Sequence, residues 1–559
     1  MTRTHQFLAT AALFACLSLW LADEVQSSSR IQFEEVSERT KLDFSTNSSP
    51  TPNKNQPETM VAGIGLLDYD NDGNLDVYFA NGAAIPSLKK ESDQYKNRLF
   101  RNNGDGTFSD MTDQAGLGGD GFDMGIAVGD YDNDGHPDIY VASVTANRLF
   151  RNLGNGTFAN VTDKAGVGGG VYNGRKMWSA AAGWFDYDND GHLDLFVSNY
   201  CRWEVNKDPV CMNGPHRAYC HPKHYESLPS TLYHNNGDGT FTDVSLKTGI
   251  AKSLGKGMGV AFNDYDRDGF TDIFVANDNT PNSLFHNLGG KVFEEVAVDM
   301  GVAYTENGNA VSGMGAEFRD LDNDGLPDIW HTAVELETFP LFRNLGQGGF
   351  ADVTGRSRLA RQTMQMSGWS NGAADFDNDG WKDLFVARSN VLDNIGLFSG
   401  RKYAEPNAVF RNLGKGLFED VSLGAGAAFQ VPAAHRGAAL GDLDNDGRVD
   451  VVVSVLNGSA KLFRNLSNQS SNWVSFRLVG RKSNRMGIGA QLKLTSADGS
   501  VQYQIVTTST GYAASSDVRA HFGLGTAPKA SEVEIRWPSG VRQTLRDLAA
   551  KRLRVILEP

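Results

Sequence analysis

The sequence predicts an all-β protein: a seven-bladed β-propeller with calcium-binding loops, followed by a small β-sandwich or barrel-like domain. Three observations carry this. A D-x-D-x-D-G-x-x-D loop occurs seven times, beginning at Asp68, Asp130, Asp186, Asp264, Asp320, Asp375 and Asp442. Successive starts lie 62, 56, 78, 56, 55 and 67 residues apart, which is a solenoid or propeller period rather than a domain period. Around each loop the chain reads as four short strands, the content of one propeller blade.

Each loop sets carboxylates at positions one, three, five and nine around a glycine at the sharp turn, a hard-oxygen cage suited to Ca²⁺. Its first half is like an EF-hand loop. That motif, however, needs a bidentate Glu at position twelve and flanking helices, and here position twelve is Phe79 in the first copy and Val141 in the second, inside apolar runs. The loop therefore connects two strands and closes on its own ninth residue. Four side chains, the seventh backbone carbonyl and water are the expected ligands. In chain order the predicted ligand positions are Asp68, Asp70, Asp72, Asn74 and Asp76; Asp130, Asp132, Asp134, His136 and Asp138; and Asp186, Asp188, Asp190, His192 and Asp194. They continue as Asp264, Asp266, Asp268, Phe270 and Asp272, then Asp320, Asp322, Asp324, Leu326 and Asp328. The last two sets are Asp375, Asp377, Asp379, Trp381 and Asp383, and Asp442, Asp444, Asp446, Arg448 and Asp450. About seven Ca²⁺ ions are expected.

From the N-terminus, Arg3 precedes an apolar run from Phe7 to Leu21, which predicts a signal peptide over residues 1–22. A lipoprotein signal at Cys16 and an uncleaved anchor are the other readings. All three place the rest outside the cytoplasm: secreted, periplasmic or on the cell surface. No later run is long enough to span a bilayer.

The propeller is assigned to residues 31–467. An apolar-aromatic pair before x-Asn returns at Leu99-Phe100, Leu149-Phe150, Leu232-Tyr233, Leu284-Phe285, Leu341-Phe342, Val409-Phe410 and Leu462-Phe463. A following F-x-[DNE] element begins at Phe108, Phe158, Phe241, Phe293, Phe350 and Phe418, but the seventh pair lacks one. Phe33-Glu34-Glu35 supplies the missing strand from the other end of the chain and closes the ring. Small residues five and three positions before each loop, such as Gly63 and Gly65 or Gly125 and Ala127, mark the strand nearest the axis. Glu317 is the one charged member of that series. It reads as a channel ligand or, more simply, as a carboxylate paired near Arg319.

Insertions at 81–97, 199–230 and 388–407 all fall between second and third strands, on the face opposite the acidic loops. One face is then regular and the other variable. The 199–230 insertion holds Cys201, Cys211 and Cys220, whose spacing fits no standard zinc pattern; outside the cytoplasm a Cys211–Cys220 disulfide is the favoured reading, with pairings through Cys201 left open. Arg175, Trp178, Trp369, Lys402, Tyr403 and Arg436 form a candidate carbohydrate or peptide surface, against the plainer reading that such aromatics pack.

The formal charge of −15 excludes neither scaffold nor enzyme. Four acids in each of seven loops account for 28 of the 67 acidic residues, so metal ligation explains the acidity and nucleic acid is not an expected partner.

Residues 472–559 form the C-terminal domain, with strands expected at 473–479, 491–495, 501–507, 532–537 and 553–557. Here Gly487-Ile488-Gly489-Ala490, Gly511-Tyr512, His521-Phe522-Gly523-Leu524-Gly525 and Trp537-Pro538-Ser539-Gly540 resemble the ASPIC/UnbV signature. The seven loops resemble the FG-GAP or VCBS repeats of integrin alpha subunits and of the cartilage acidic protein family, which carries both parts in this order. The resemblance implies an exported calcium-binding propeller with partners on the face away from the metal, and no particular reaction. The expected function is a non-catalytic binding or adhesion scaffold for an extracellular or envelope protein or glycan. The competing expectation is a Ca²⁺-dependent polysaccharide lyase or hydrolase, with Glu317, His435, His221 and His224 as its candidate groups.

Overall fold

The computed structural model describes residues 31–559; the predicted signal segment and Cys16 lie outside the described residues. Seven sheets, each built on four antiparallel strands, follow one another around the propeller; the first is extended to six by two short strands from the C-terminal domain, and the last takes its outer strand from the N-terminus. In the second, Asp123–Gly129 leads into the acidic loop, and Asp138–Ser143, Arg148–Asn152 and Phe158–Asn160 complete the blade. In the last, Phe33–Glu35 pairs with Gly458–Asn465 in the register Phe33 to Asn465, so the two ends of the repeat share one sheet.

The glycines of the inner strands have a specific packing reason. A Cβ on Gly63 would stand 2.6 Å from the Met124 carbonyl oxygen of the next blade, and one on Gly125 would stand 2.5 Å from that of Ala180. Neighbouring inner strands thus approach backbone to backbone, a distance only glycine allows. Outward from this contact, aromatic and branched side chains fill the wedges between blades, as where Tyr78 and Leu99 meet Ile139, Val141 and Phe150.

The C-terminal domain has two sheets. Asn472–Val479 lies between Ala520–Gly525 and Arg552–Leu557, and Gln491–Ser496 lies between Val501–Ile505 and Lys529–Arg536, with Arg542–Ala549 at the far edge. Between the sheets the chain leaves the domain altogether. Ser509–Thr510 and Ala514–Ser515 form a hairpin that enters the propeller axis, where Ala514 pairs in parallel with Ile64 of the first blade. Gly511 exchanges backbone hydrogen bonds with Ala316 at 3.0 and 3.2 Å, and Ile126 N donates to Ala513 O. At the tip, the buried Tyr512 donates its hydroxyl to Met60 O at 2.8 Å, and Tyr512 N donates to Ser370 Oγ at 3.0 Å. Gly183 of the third inner strand faces this plug, where a Cβ would stand 2.9 Å from Ser509 Oγ, whereas Gly63 and Gly125 meet the next blade; the sequence reading did not foresee the hairpin.

The aromatic surface expected on the opposite face is corrected by the structure. Trp178, Trp369 and Arg436 are buried around the plug tip, with the Arg436 guanidinium 3.9 Å from the centre of the Trp369 ring. The guanidinium donates to Thr59 O and His435 O and to Ser389 Oγ, which satisfies it without a carboxylate. The insertion at 199–230 covers this cluster through Tyr200 and Tyr225. Only Arg175 and Lys402 remain exposed, and Arg175 pairs with Glu204.

Removing the plug tip has a definite expected cost. Tyr512→Ala should lower stability by about 3–5 kcal/mol, the usual range for truncating a fully buried aromatic. Chemical denaturation followed by tryptophan fluorescence measures this; an unchanged midpoint would mean that the hairpin is not held in the channel.

Candidate metal centres

Loop geometry repeats closely from blade to blade. Position one accepts from the glycine N–H at position six: Gly135 N to Asp130 Oδ2 at 2.8 Å and Gly380 N to Asp375 Oδ2 at 2.7 Å. The buried ninth carboxylate accepts twice, from the N–H of position two and from the asparagine that follows the aromatic pair. In the second loop these are Tyr131 N at 3.1 Å and Asn152 N at 2.8 Å, both to Asp138. The carboxylate that closes the loop thereby ties it to the third strand.

The residue between the aromatic and that asparagine is Arg101, Arg151, His234, His286, Arg343, Arg411 or Arg464, always basic. Arg151 Nε lies 2.6 Å from Asp132 Oδ2 and its Nη2 lies 2.9 Å from Asp134 Oδ2; Arg343 and Arg411 bridge positions three and five in the same way. In the third and fourth loops His234 and His286 stand 3.2 Å from Asp194 and Asp272. Hydrogen bonds to these carboxylates raise both imidazole pKa values. This clamp escaped the sequence analysis, although the invariant basic position was its visible signal.

The clamp takes the outer oxygens and leaves inner ones free. Asp68 Oδ1, Asp70 Oδ1, Asp132 Oδ1, Asp188 Oδ1, Asp264 Oδ1 and Asp320 Oδ1 are buried without a hydrogen-bond partner. Ligand oxygens of Asp68, Asp70 and Asp76, of Asp130, Asp132 and Asp138, and of Asp186, Asp188 and Asp194 lie within 4.8 Å of one another. Carboxylates gathered at that spacing, with an orphaned oxygen in each of the first five loops, fit a hard divalent cation, because leaving such an oxygen unpaired is otherwise costly. Burial raises the metal-free pKa of Asp76 and Asp186 to about 8 and of Asp130 to about 7.

The loops also hold one another. At position four, Asn71, Asn133, Asn189, Asn323, Asn378 and Asn445 adopt the left-handed conformation that Asn tolerates. Each donates Nδ2 to the position-six carbonyl of the following loop, from Asn71 to Gly135 at 3.1 Å round to Asn445 to Gly73 at 3.2 Å. Arg267 makes the equivalent bond to Gly325. The third-strand asparagines run the other way: Asn152 Nδ2 reaches Tyr69 O and Asn102 Nδ2 reaches Leu443 O, both at 2.8 Å.

The C-terminal domain sits on this ring. The position-four Oδ1 atoms accept from Arg477 in the first loop, Arg485 N in the second, His521 in the sixth and Arg519 in the seventh. Lys382 Nζ, in the sixth loop, joins Asp320 O to Tyr503 O at 2.9 Å each.

The other sequence-predicted groups do not converge. Glu317 is buried against Arg319 at 2.9 Å, beside Gln504, Ser516 and His521 of the C-terminal domain. His435 is buried near the Arg388 and Glu405 carbonyls, and burial lowers its pKa to about 4. His221 accepts from Lys223 N on the insertion, and His224 is exposed there. Cys211 and Cys220 are bonded, and Cys201 is a free, buried thiol whose pKa burial raises.

Blades in a closed ring, acidic loops on one rim and a second domain seated on that rim define a repeat propeller. Its likeness to solved structures is low: a TM-score of 0.39 at 17% identity to an Agrocybe aegerita lectin that recognises non-reducing terminal N-acetylglucosamine, covering 65% of this chain and 81% of that one. For the Dos1 propeller the TM-score is 0.36 at 8% identity, over 71% and 77%. The FG-GAP-like repeat family matches residues 68–141, 130–197, 225–275 and 264–331, and the ASPIC and UnbV family matches 480–559. The chain therefore carries FG-GAP-like repeats and, after them, an ASPIC and UnbV domain. It is 26% identical to cartilage acidic protein 1 of Mus musculus, over 92% of this chain and 76% of that protein, and 26% identical to the Homo sapiens protein, over 94% and 76%.

A pH experiment separates proton from metal occupancy. Unfolded aspartates titrate near pH 3.9, so the metal-free fold retains protons that the unfolded chain has released. That contribution is present at acid pH and lost as pH rises through about 7 to 8. In chelator, the melting temperature should fall between pH 5.5 and 8.5, whereas excess Ca²⁺ should flatten the fall. Parallel curves with and without Ca²⁺ would contradict the assignment.

Proposed function

We propose that this protein is an exported, non-catalytic binding scaffold in which Ca²⁺ in each loop fixes the blade ring, and the ring in turn seats the ASPIC and UnbV domain. The observation that carries the reading is the set of buried, partnerless carboxylate oxygens inside loops that also bond to their neighbours and to the second domain. Metal at such a site acts on three contacts at once: within the loop, between blades and between domains. Among the described residues no helix is long and apolar enough to cross a membrane. Similarity to cartilage acidic protein 1 supports an extracellular setting.

The partner surface belongs on the opposite face. The C-terminal domain bonds to the loop rim at the first, second, sixth and seventh loops, whereas the insertions expose side chains on the other face. The Cys211–Asn213 and His216–Ala218 strands form a hairpin held by the Cys211–Cys220 bond, and beside it Val210 and Met212 are 75% and 54% exposed. Apolar side chains fixed on a cross-linked hairpin lose little entropy when they are covered by a partner protein or the flat face of a glycan.

The test is binding to panels of extracellular-matrix proteins and glycans in Ca²⁺. Binding should vanish in chelator and fall at least about tenfold in the Val210→Asp, Met212→Asp double variant. Retention of full affinity by that variant would move the partner elsewhere, and release of shortened or unsaturated sugar would replace the scaffold with an enzyme.

A further inference from the structure

Where the C-terminal domain meets the first and second loops, it leaves a cavity of about 430 Å³. That volume falls within the range of small-molecule sites. Its walls divide by chemistry. Leu75 and Val128 of the propeller, with Val518, Leu553 and Val555 of the C-terminal domain, give an apolar surface. Leu553 and Val555 alternate along one edge strand and are 41% and 58% exposed, so the apolar wall runs out to solvent.

Three guanidiniums line the same space, and they are not equivalent. Arg519 is committed: it pairs with Asp517 at 2.6 Å and donates to Asn445 Oδ1 and Asp442 O at 2.7 Å. Among the described residues the Arg477 side chain makes one hydrogen bond, to Asn71 Oδ1 at 3.3 Å, and stands 3.7 Å from Asp68 Oδ2. Among the described residues the Arg485 side chain reaches only Gly480 O, at 3.5 Å. A guanidinium carries five donors in a planar fork. Arg477 and Arg485 therefore hold unused donors beside an apolar wall. Three acids line the cavity as well: Asp517 pairs with Arg519, and Asp68 and Asp130 each accept from the glycine of their own loop through Oδ2 and belong to the candidate metal cages.

We propose that this cavity binds an amphipathic anion: an aliphatic body against Leu75, Val128 and Val518, and a single carboxylate or phosphate head held by Arg477 and Arg485. Shape supplies the body's site and charge supplies its orientation, since bidentate guanidinium contacts suit either head group. The site goes beyond the scaffold reading, and its probe is tested separately from metal binding. It would place a small-molecule site at the joint between propeller and C-terminal domain.

Titration calorimetry on the full chain in saturating Ca²⁺ tests it with decanoate, decyl phosphate, decanol and decylammonium. The anions should bind, and the one that binds more tightly identifies the head group. Decanol should bind about tenfold or more weakly, and decylammonium should not bind. The Arg477→Gln, Arg485→Gln double variant should reduce anion affinity to that of decanol, and Val555→Trp, which fills the cavity from its open rim, should abolish binding with both arginines intact. Thermal melts of each variant with and without Ca²⁺ check that the fold and its metal response persist. Equal binding of decanoate and decanol, unchanged affinity in the arginine variant, or no binding of either anion would overturn the proposal.

Discussion

Each acidic loop brings four carboxylates together within nine residues, and the hydrogen bonds that tie loop to strand, blade to blade and propeller to C-terminal domain are made by or beside those carboxylates. The chain offsets part of their charge itself. A basic residue from the third strand takes the outer oxygens of positions three and five, as Arg151 does for Asp132 and Asp134. Backbone N–H groups take both oxygens of position nine, as for Asp138. In each of the first five loops an oxygen at position one or three is left buried without a partner, an arrangement that fits a divalent cation. Asp-rich loops are thus not seven separate sites on a finished fold, because the same residues carry the hydrogen bonds that join each blade to the next.

This coupling gives the two faces different roles. On the loop rim, position-four asparagines use one side-chain atom for the neighbouring loop and the other for the C-terminal domain, so Asn133 touches both Gly191 and Arg485. The Ser509–Ser515 hairpin extends the same attachment down the axis to Met60 and Ser370 near the far face. Beyond the plug tip the channel is filled by Trp178, Trp369 and Arg436, which leaves the insertions as the irregular outer surface there. The plug bonds to the first, second, fifth and sixth blades at once and so ties them together along the axis.

The repeat was legible because its physics is local and periodic. Carboxylate spacing, the turn glycine and the aromatic pair each lie within one blade, and the ring-closing strand at Phe33 could be inferred because its absence after Phe463 left a gap in the period. The plug was not legible. Apart from Tyr512, Ser509-Thr510-Gly511-Tyr512-Ala513-Ala514-Ser515 consists of small residues, and its partners, Ile64, Ile126 and Ala316, lie about 200 to 450 residues away. Trp369 and Arg436 misled for a related reason: composition places aromatic and basic residues at loop faces, but only tertiary structure reveals that an insertion and a distant hairpin cover them. The basic clamp lay in plain view in the sequence, and its meaning appeared only when Arg101 and Arg151 were found across the carboxylates.

The most direct test of the account is metal stoichiometry by native mass spectrometry on purified protein exchanged into Ca²⁺ or Mg²⁺. Cages of carboxylates gathered in seven acidic loops predict close to seven Ca²⁺ ions per chain and far weaker retention of Mg²⁺, which demands a tighter octahedral shell. A chain that folds fully with no bound Ca²⁺, or with one or two ions only, would contradict the claim that metal completes every blade.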